Sequence, residues 1–182
     1  SEAIKVVEEI LSDFDKHFNN SLNILTSRKL GIKNKSKTTI SLYSSLLNLM
    51  EIGKADFTHT FKSLKAILIK EDNSIFLNNF RDLNEENQRA LSKWLGDWRK
   101  LLMENNDSKT QAIELLSASN PEFIMRNHLV EKSIRKATKG DFSDFEILSD
   151  LLLNPFEMKE NYEAFYKAPT DREVVHQTFC GT

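Results

Sequence analysis

Cysteine, proline and glycine are all scarce: one, three and five among 182 residues. One cysteine excludes a disulfide framework within the chain and a cysteine-built zinc cage. It points to an intracellular origin, cytoplasmic or in an organelle matrix. Few glycines and prolines disfavour an all-β fold, which spends such residues on its many turns. No apolar run approaches the roughly 20 residues that a bilayer-spanning helix needs. A net charge of −2 gives no electrostatic reason to bind nucleic acid or an anionic membrane surface, so neither is an expected partner. There is no Gly-rich phosphate loop, no His-Arg-Asp and no Asp-Phe-Gly motif. The opening Ser1-Glu2-Ala3-Ile4 has neither the basic nor the apolar region of a signal peptide. It also lacks an initiator methionine, and the expectation is a cut or processed chain.

What is present is helical periodicity. Ile4, Val7, Leu11, Phe14, Phe18, Leu22 and Leu25 recur at steps of three and four, predicting an amphipathic helix over 2–27 with Gly31 as its stop. Thr38 or Thr39 caps a second helix, with Ile40, Tyr43, Leu46, Leu47 and Met50 on its buried face and Gly53 at its end. Asp56 caps a third, carrying Phe57, Phe61, Leu64, Ile67 and Leu68. A short helix lies around 75–80. Asn84 caps the clearest one, with Glu85 and Glu86 in the first turn and Leu91, Trp94, Leu95, Trp98, Leu101 and Leu102 as its stripe. Asp107 or Ser108 opens another through Leu116. Asn120 caps the next, with Pro121 at the first helical position and Gly140 at its end. Asp141 or Ser143 starts the last, through Phe145, Leu148 and Leu152, closed by Asn154-Pro155. No stretch shows strict alternation. The expectation is an all-α fold: one compact multi-helix domain of about seven to nine helices whose stripes bury one another. That domain spans 1–160, and a weakly structured, extended tail spans 161–182.

Several constellations bear on function. In the predicted helix over 120–139, Phe123, Asn127, Val130, Ile134 and Ala137 step by four and three. Asn127 therefore falls within the apolar stripe, flanked by Arg126 and Leu129. A buried amide needs partners. Either Asn127 fixes helix register through a backbone bond, or Arg126 and Asn127 hold a loop or another domain. Arg126 suits a bidentate pair with a carboxylate such as Asp56. The four histidines, His17, His59, His128 and His176, sit on different elements without the repeated Glu-x-x-His pattern of a di-metal bundle, so no metal site is assigned. Trp94 and Trp98 read as core. Arg28, Lys29, Lys33, Lys35 and Lys37 read as a solvated basic loop. Cys180 is an exposed tail thiol, either inert or a nucleophile for thiol chemistry.

These segments carry a resemblance. Lys29-Leu30-Gly31-Ile32 resembles the Lys-Leu-Gly-hydrophobic motif of the selenoprotein O family, pseudokinase-fold enzymes that attach AMP to proteins. The segment from Asp56 to Leu64 is similar to that family's Asp-aromatic-Thr-x-x-Phe-Arg/Lys-x-Leu stretch. Trp94-Leu95 with Trp98 and Arg99 looks like its Trp-rich helix. Asn120-Pro121, Ile124, Arg126-Asn127 and Leu129 fit its Asn-Pro-x-x-x-x-Arg-Asn-x-Leu motif. Gly140-Asp141 and Asn154-Pro155-Phe156 match in order. Cys180 stands where the family carries a near-terminal cysteine or selenocysteine. The match runs from about residue 28 to 182. One departure is the ending Cys180-Gly181-Thr182 in place of the family's frequent Cys-Ser-Ser.

The resemblance implies that this chain is the C-terminal helical part of a protein adenylyltransferase. The parent would use ATP and Mg²⁺ to transfer AMP to Ser, Thr or Tyr hydroxyls of protein substrates. Its catalytic, nucleotide-binding and metal-binding residues would lie upstream of Ser1, and none is assigned here. This segment would buttress the upstream kinase-like domain of the same polypeptide. Cys180 would be a redox residue, bridging to a thiol near the active site. Asp56, Arg126 and Asn127 are the candidate structural or docking residues. The rival readings are a stand-alone helical protein-interaction module and a small helical metalloenzyme.

Overall fold

In the computed structural model, residues 2–175 and 177 are described. Eight α-helices and one 3-10 helix form among them, with no strand. The all-α class expected from the sequence is therefore what the chain has. The chain divides into two compact units, Ser1–Asn120 and Pro121–Thr182.

The first unit holds α1 (Glu2–Lys29), α2 (Lys37–Ile52), α3 (Phe57–Lys70), α4 (Ser74–Leu77), α5 (Glu85–Asn105) and α6 (Lys109–Ser119). Four of these helices start in the same way. Ser36, Asp56, Asn84 and Ser108 each accept a hydrogen bond from the backbone N–H three residues on, at 3.0, 2.9, 2.8 and 3.1 Å. Each bond satisfies one of the N–H groups that a helix start leaves orphaned. The predicted start of α2 at Thr38 or Thr39 is thus moved upstream: Ser36 caps it, and Thr39 is buried.

The core of this unit is Leu30, Ile32, Leu46, Phe61, Leu64, Phe76, Leu91, Leu95 and Trp98 with their neighbours. Phe76 stacks on Trp94 at 5.7 Å, and Trp94 on Trp98 at 6.1 Å. Both indole N–H groups find carbonyl acceptors, Trp94 on Leu42 at 2.9 Å and Trp98 on Leu30 at 2.8 Å. A buried indole needs such a partner.

α1 departs from expectation. Its apolar stripe was expected inside the core, yet every described side chain from Ile4 to Leu22 is exposed. Only the last turns enter the core, through Thr26, Ser27 and Leu30. The period was legible, but a period says that a face is apolar and not what covers it.

The second unit holds α7 (Asn127–Ala137), α8 (Ser143–Leu153) and the 3-10 helix Glu163–Tyr166. Its core is Phe123, Leu129, Leu148, Leu151 and Tyr166. Two expectations are corrected here. Asn120 does not cap a helix beginning at Pro121: it ends α6, its N–H bonded to Leu116 O at 3.0 Å. Residues 121–126 are irregular, and Phe123 N–H donates to Pro155 O at 3.0 Å. In α8 the buried positions are Asp144, Leu148 and Leu151, whereas Phe145 and Leu152, expected inside, are 58% and 44% exposed. Leu148 is inside as expected, and the buried Asp144 is paired with Lys136 at 2.6 Å.

Within 161–175 the chain is anchored to this core. Tyr166 is buried, its hydroxyl accepts from Lys159 N–H at 2.9 Å, and its ring meets Phe123 edge-on at 6.1 Å.

Candidate functional site

The motif residues of the first unit converge on the end of α1. Ile32 N–H bonds Ser27 O at 2.9 Å and Gly31 N–H bonds Arg28 O at 2.8 Å. This pair of bonds, with Gly31 at φ +72°, is a Schellman motif, which needs a left-handed residue just past the helix end. A Cβ on Gly31 would lie 2.7 Å from Leu116 Cγ and 3.1 Å from Ala112 O. Glycine is required there twice, for backbone angle and for space.

The carbonyls that α1 leaves open take side-chain donors from distant helices. Asn120 Nδ2 donates to Lys29 O at 3.0 Å, Trp98 Nε1 to Leu30 O at 2.8 Å, and Asn106 Nδ2 to Gly31 O at 3.0 Å. Lys29 Nζ in turn donates to Asn120 Oδ1 at 3.0 Å. It also sits over the rings of Phe61 and Phe57, at 4.8 and 5.3 Å from their centroids. Burial holds the Lys29 ammonium below the ordinary lysine range. The amide partner and the two aromatic faces offset part of that cost.

Asp56 caps α3 at the edge of the same arrangement. His59 Nδ1 lies 3.8 Å from its Oδ1, too long for a hydrogen bond. A groove of about 730 Å³ in this unit is lined by Glu71, Asn73, Arg99, Asn106, Lys109 and apolar neighbours. Its cations are spent on protein partners, Lys109 on Glu71 at 2.9 Å and Arg99 on Asn73. That hydrogen bond from Lys109 holds Glu71 below its usual range.

In the second unit, Arg126 stands before the first turn of α7 and Asn127 is its first residue, with no side chain capping the helix. Asn127 is exposed. The expectation of an amide buried in an apolar stripe is corrected, because the helix starts at Asn127 and not at Pro121. Asp56 belongs to the first unit and Arg126 and Asn127 to the second. His128 borders a groove of about 650 Å³ with Lys132, Arg135, Lys167, Arg172 and Glu173. Burial first, then nearby Arg126 and Lys132, lower its pKa against the opposing pull of Glu173. Cys180 and His176 lie outside the described residues.

Among the described residues, no group of three or more His, Cys, Asp or Glu is arranged to hold a metal ion. No helix among them is long and apolar enough to cross a membrane. The motif residues of the first unit are joined as architecture: helix end, glycine, indole donors and amide clasp. Sequence reasoning missed the clasp between Lys29 and Asn120, although both stand in motifs already singled out.

The family described as "Protein adenylyltransferase SelO" matches residues 3–153. The chain belongs to the SelO family. Among its relatives is a "Protein nucleotidyltransferase YdiU" of Rhizobium meliloti (strain 1021), 39% identical over 170 residues, covering 93% of this chain and 33% of the relative. The same-named protein of Bacillus thuringiensis subsp. konkukian (strain 97-27) is 33% identical over 182 residues, covering 100% of this chain and 35% of the relative. That of Clostridium perfringens (strain SM101 / Type A) is 32% identical over 181 residues, with the same coverage of 100% and 35%. This SelO-family chain thus spans about a third of the length of the curated relatives it matches.

Proposed function

We propose that this chain is the non-catalytic C-terminal helical segment of a SelO-like protein adenylyltransferase. The observation that carries the reading is the coverage: nearly all of this chain aligns with a third of proteins named as nucleotidyltransferases. The segment buttresses an upstream kinase-like domain and presents a redox-active tail cysteine, Cys180. The parent transfers AMP from ATP to a Ser, Thr or Tyr hydroxyl. A new bond joins the hydroxyl oxygen to the α-phosphorus, and pyrophosphate leaves.

Among the described residues no group of three or more His, Cys, Asp or Glu is arranged to hold a metal ion, and no step of the transfer is assigned to residues of this chain. Its contribution is support. The clasp at the end of α1 supplies a rigid scaffold, since the Lys29, Leu30 and Gly31 carbonyls are each tied to a side chain far away in sequence. Cys180 in turn would pair with a thiol of the catalytic region. The two thiols lose two electrons and two protons to an oxidant such as a disulfide, and the tail is then held in place.

The test uses the polypeptide encoded with its upstream sequence, beside the 182-residue chain alone. Transfer of labelled AMP to protein is expected from the longer polypeptide and not from the shorter. Oxidation is expected to inhibit the longer protein and reductant to restore it, while the Cys180→Ser variant stays active throughout. AMP labelling by the 182-residue chain alone refutes the non-catalytic assignment. Equal redox sensitivity of wild type and Cys180→Ser refutes the switch.

A further inference from the structure

α1 carries a broad uncovered apolar surface. Ile4, Leu11, Phe14 and Phe18 are 58, 63, 61 and 54% exposed, and they repeat at helical spacing. Phe14 and Phe18 stack on each other at 5.9 Å. Val6 and Ile10, 49 and 63% exposed, widen this stripe on one side. The opposite face is polar: Asp13 and Lys16 pair there at 3.2 Å. A contiguous apolar patch rimmed by polar residues marks an interaction surface and not a solvated one. In proteins most of a helix's stability comes from packing of its amphipathic face and not from propensity, and this face of α1 is exposed.

We infer that this face of α1 is the seat of the upstream part of the same polypeptide, against which the helix packs as one wall of a shared core. The inference rests on the reading that the chain is the C-terminal segment of a longer enzyme. Two observations choose this occupant over a second copy of the chain. The matched relatives are about three times as long as the chain, so a tethered partner of sufficient size exists in the family. The shape of the stripe also argues against self-pairing. A two-stranded coiled coil uses a narrow seam of branched aliphatic residues. Here two stacked phenylalanines occupy the middle, and Val6 and Ile10 broaden the arc to the width typical of a helix packed in a globular domain.

The test places a photo-crosslinking amino acid singly in the full-length polypeptide, as Phe14→p-benzoylphenylalanine and, on the polar face, Lys16→p-benzoylphenylalanine. Single-site insertion keeps the rest of the stripe intact, and the adducts are mapped by mass spectrometry. The expected result is an intramolecular adduct from position 14 to residues preceding Ser1, in severalfold greater yield than from position 16. A covalent dimer as the main product overturns the inference in favour of self-association. Equal yields from the two positions overturn it in favour of a solvated helix. AMP transfer is assayed on the same preparations. An upstream adduct without AMP transfer leaves the docking inference standing and sinks the enzymatic reading. AMP transfer without an upstream adduct does the reverse.

Discussion

Gly31→Ala is the sharpest probe of the clasp at the end of α1. Two costs are expected. An alanine held at φ +72° pays about 1 kcal/mol for the left-handed backbone. Its Cβ would also sit 2.7 Å from Leu116 Cγ. Leu116 is 1% exposed and has nowhere to retreat, so overpacking adds about 1–3 kcal/mol. The total is about 2–4 kcal/mol, and with a urea slope of about 1–2 kcal/mol/M the midpoint falls by at least about 1 M. Trp94 and Trp98 are the only tryptophans, and both are buried in this unit, so intrinsic fluorescence reports its unfolding directly. The two costs separate in a double-mutant cycle with Leu116→Ala, run in a stabilising osmolyte common to all four proteins. In that background the clash is gone, and Gly31→Ala should cost only about 1 kcal/mol. An equal cost in both backgrounds refutes the steric argument. A cost under about 0.5 kcal/mol in the wild-type background, typical of an ordinary surface site, refutes the backbone argument as well.

Two further outcomes are expected. Asn120→Ala removes both bonds of the amide to Lys29 and should cost about 1–3 kcal/mol, read by the same fluorescence; an unchanged midpoint would mean that the clasp contributes nothing. In the second unit, the hydrogen bond from Lys136 to Asp144 raises the lysine above the ordinary lysine value of 10.5. Protonated Lys136 is favoured in the folded state, so its contribution is complete below pH 10.5 and is lost as pH rises through the raised value. The thermal midpoint of wild type should therefore exceed that of Asp144→Asn at neutral pH, with the gap closing in strong alkali. A gap independent of pH refutes the assignment.

The elements were legible wherever a local rule decides them. The Asn84 start of α5 and the Asp56 start of α3 were read from the side chains that make those caps, and Trp94 and Trp98 from their place in a heptad-like stripe. The start of α7 was misread because Asn120-Pro121 satisfies a local rule that a distant residue overrides: the Asn120 side chain is already engaged with Lys29, 91 residues away. The buried Asp144 of α8 was missed for a similar reason. It is invisible to an apolar count, and its lysine partners stand on α7. The face of α1 was recognised as apolar, yet nothing within the sequence says whether such a face meets its own domain, another part of the polypeptide or a second protein. The motif residues were found one at a time. Their convergence around Gly31 depends on contacts between helices that the sequence separates widely.

The way α1 ends divides that helix thermodynamically. Its last carbonyls take their donors from Trp98, Asn106 and Asn120, and those side chains leave together only when α5 and α6 separate from it. The final turns therefore open with the whole unit, as part of its most protected cooperative block. The described side chains of the preceding turns, from Ile4 to Leu22, are exposed. Lys35 Nζ donates to Asn20 Oδ1 there, and in the isolated chain these turns are expected to fray from the far end. One continuous helix thus spans two regimes of stability, with the border near Asn23, where side chains first begin to be shielded. Occupying the outer turns would extend the cooperative block along the helix without altering a single bond at its inner end.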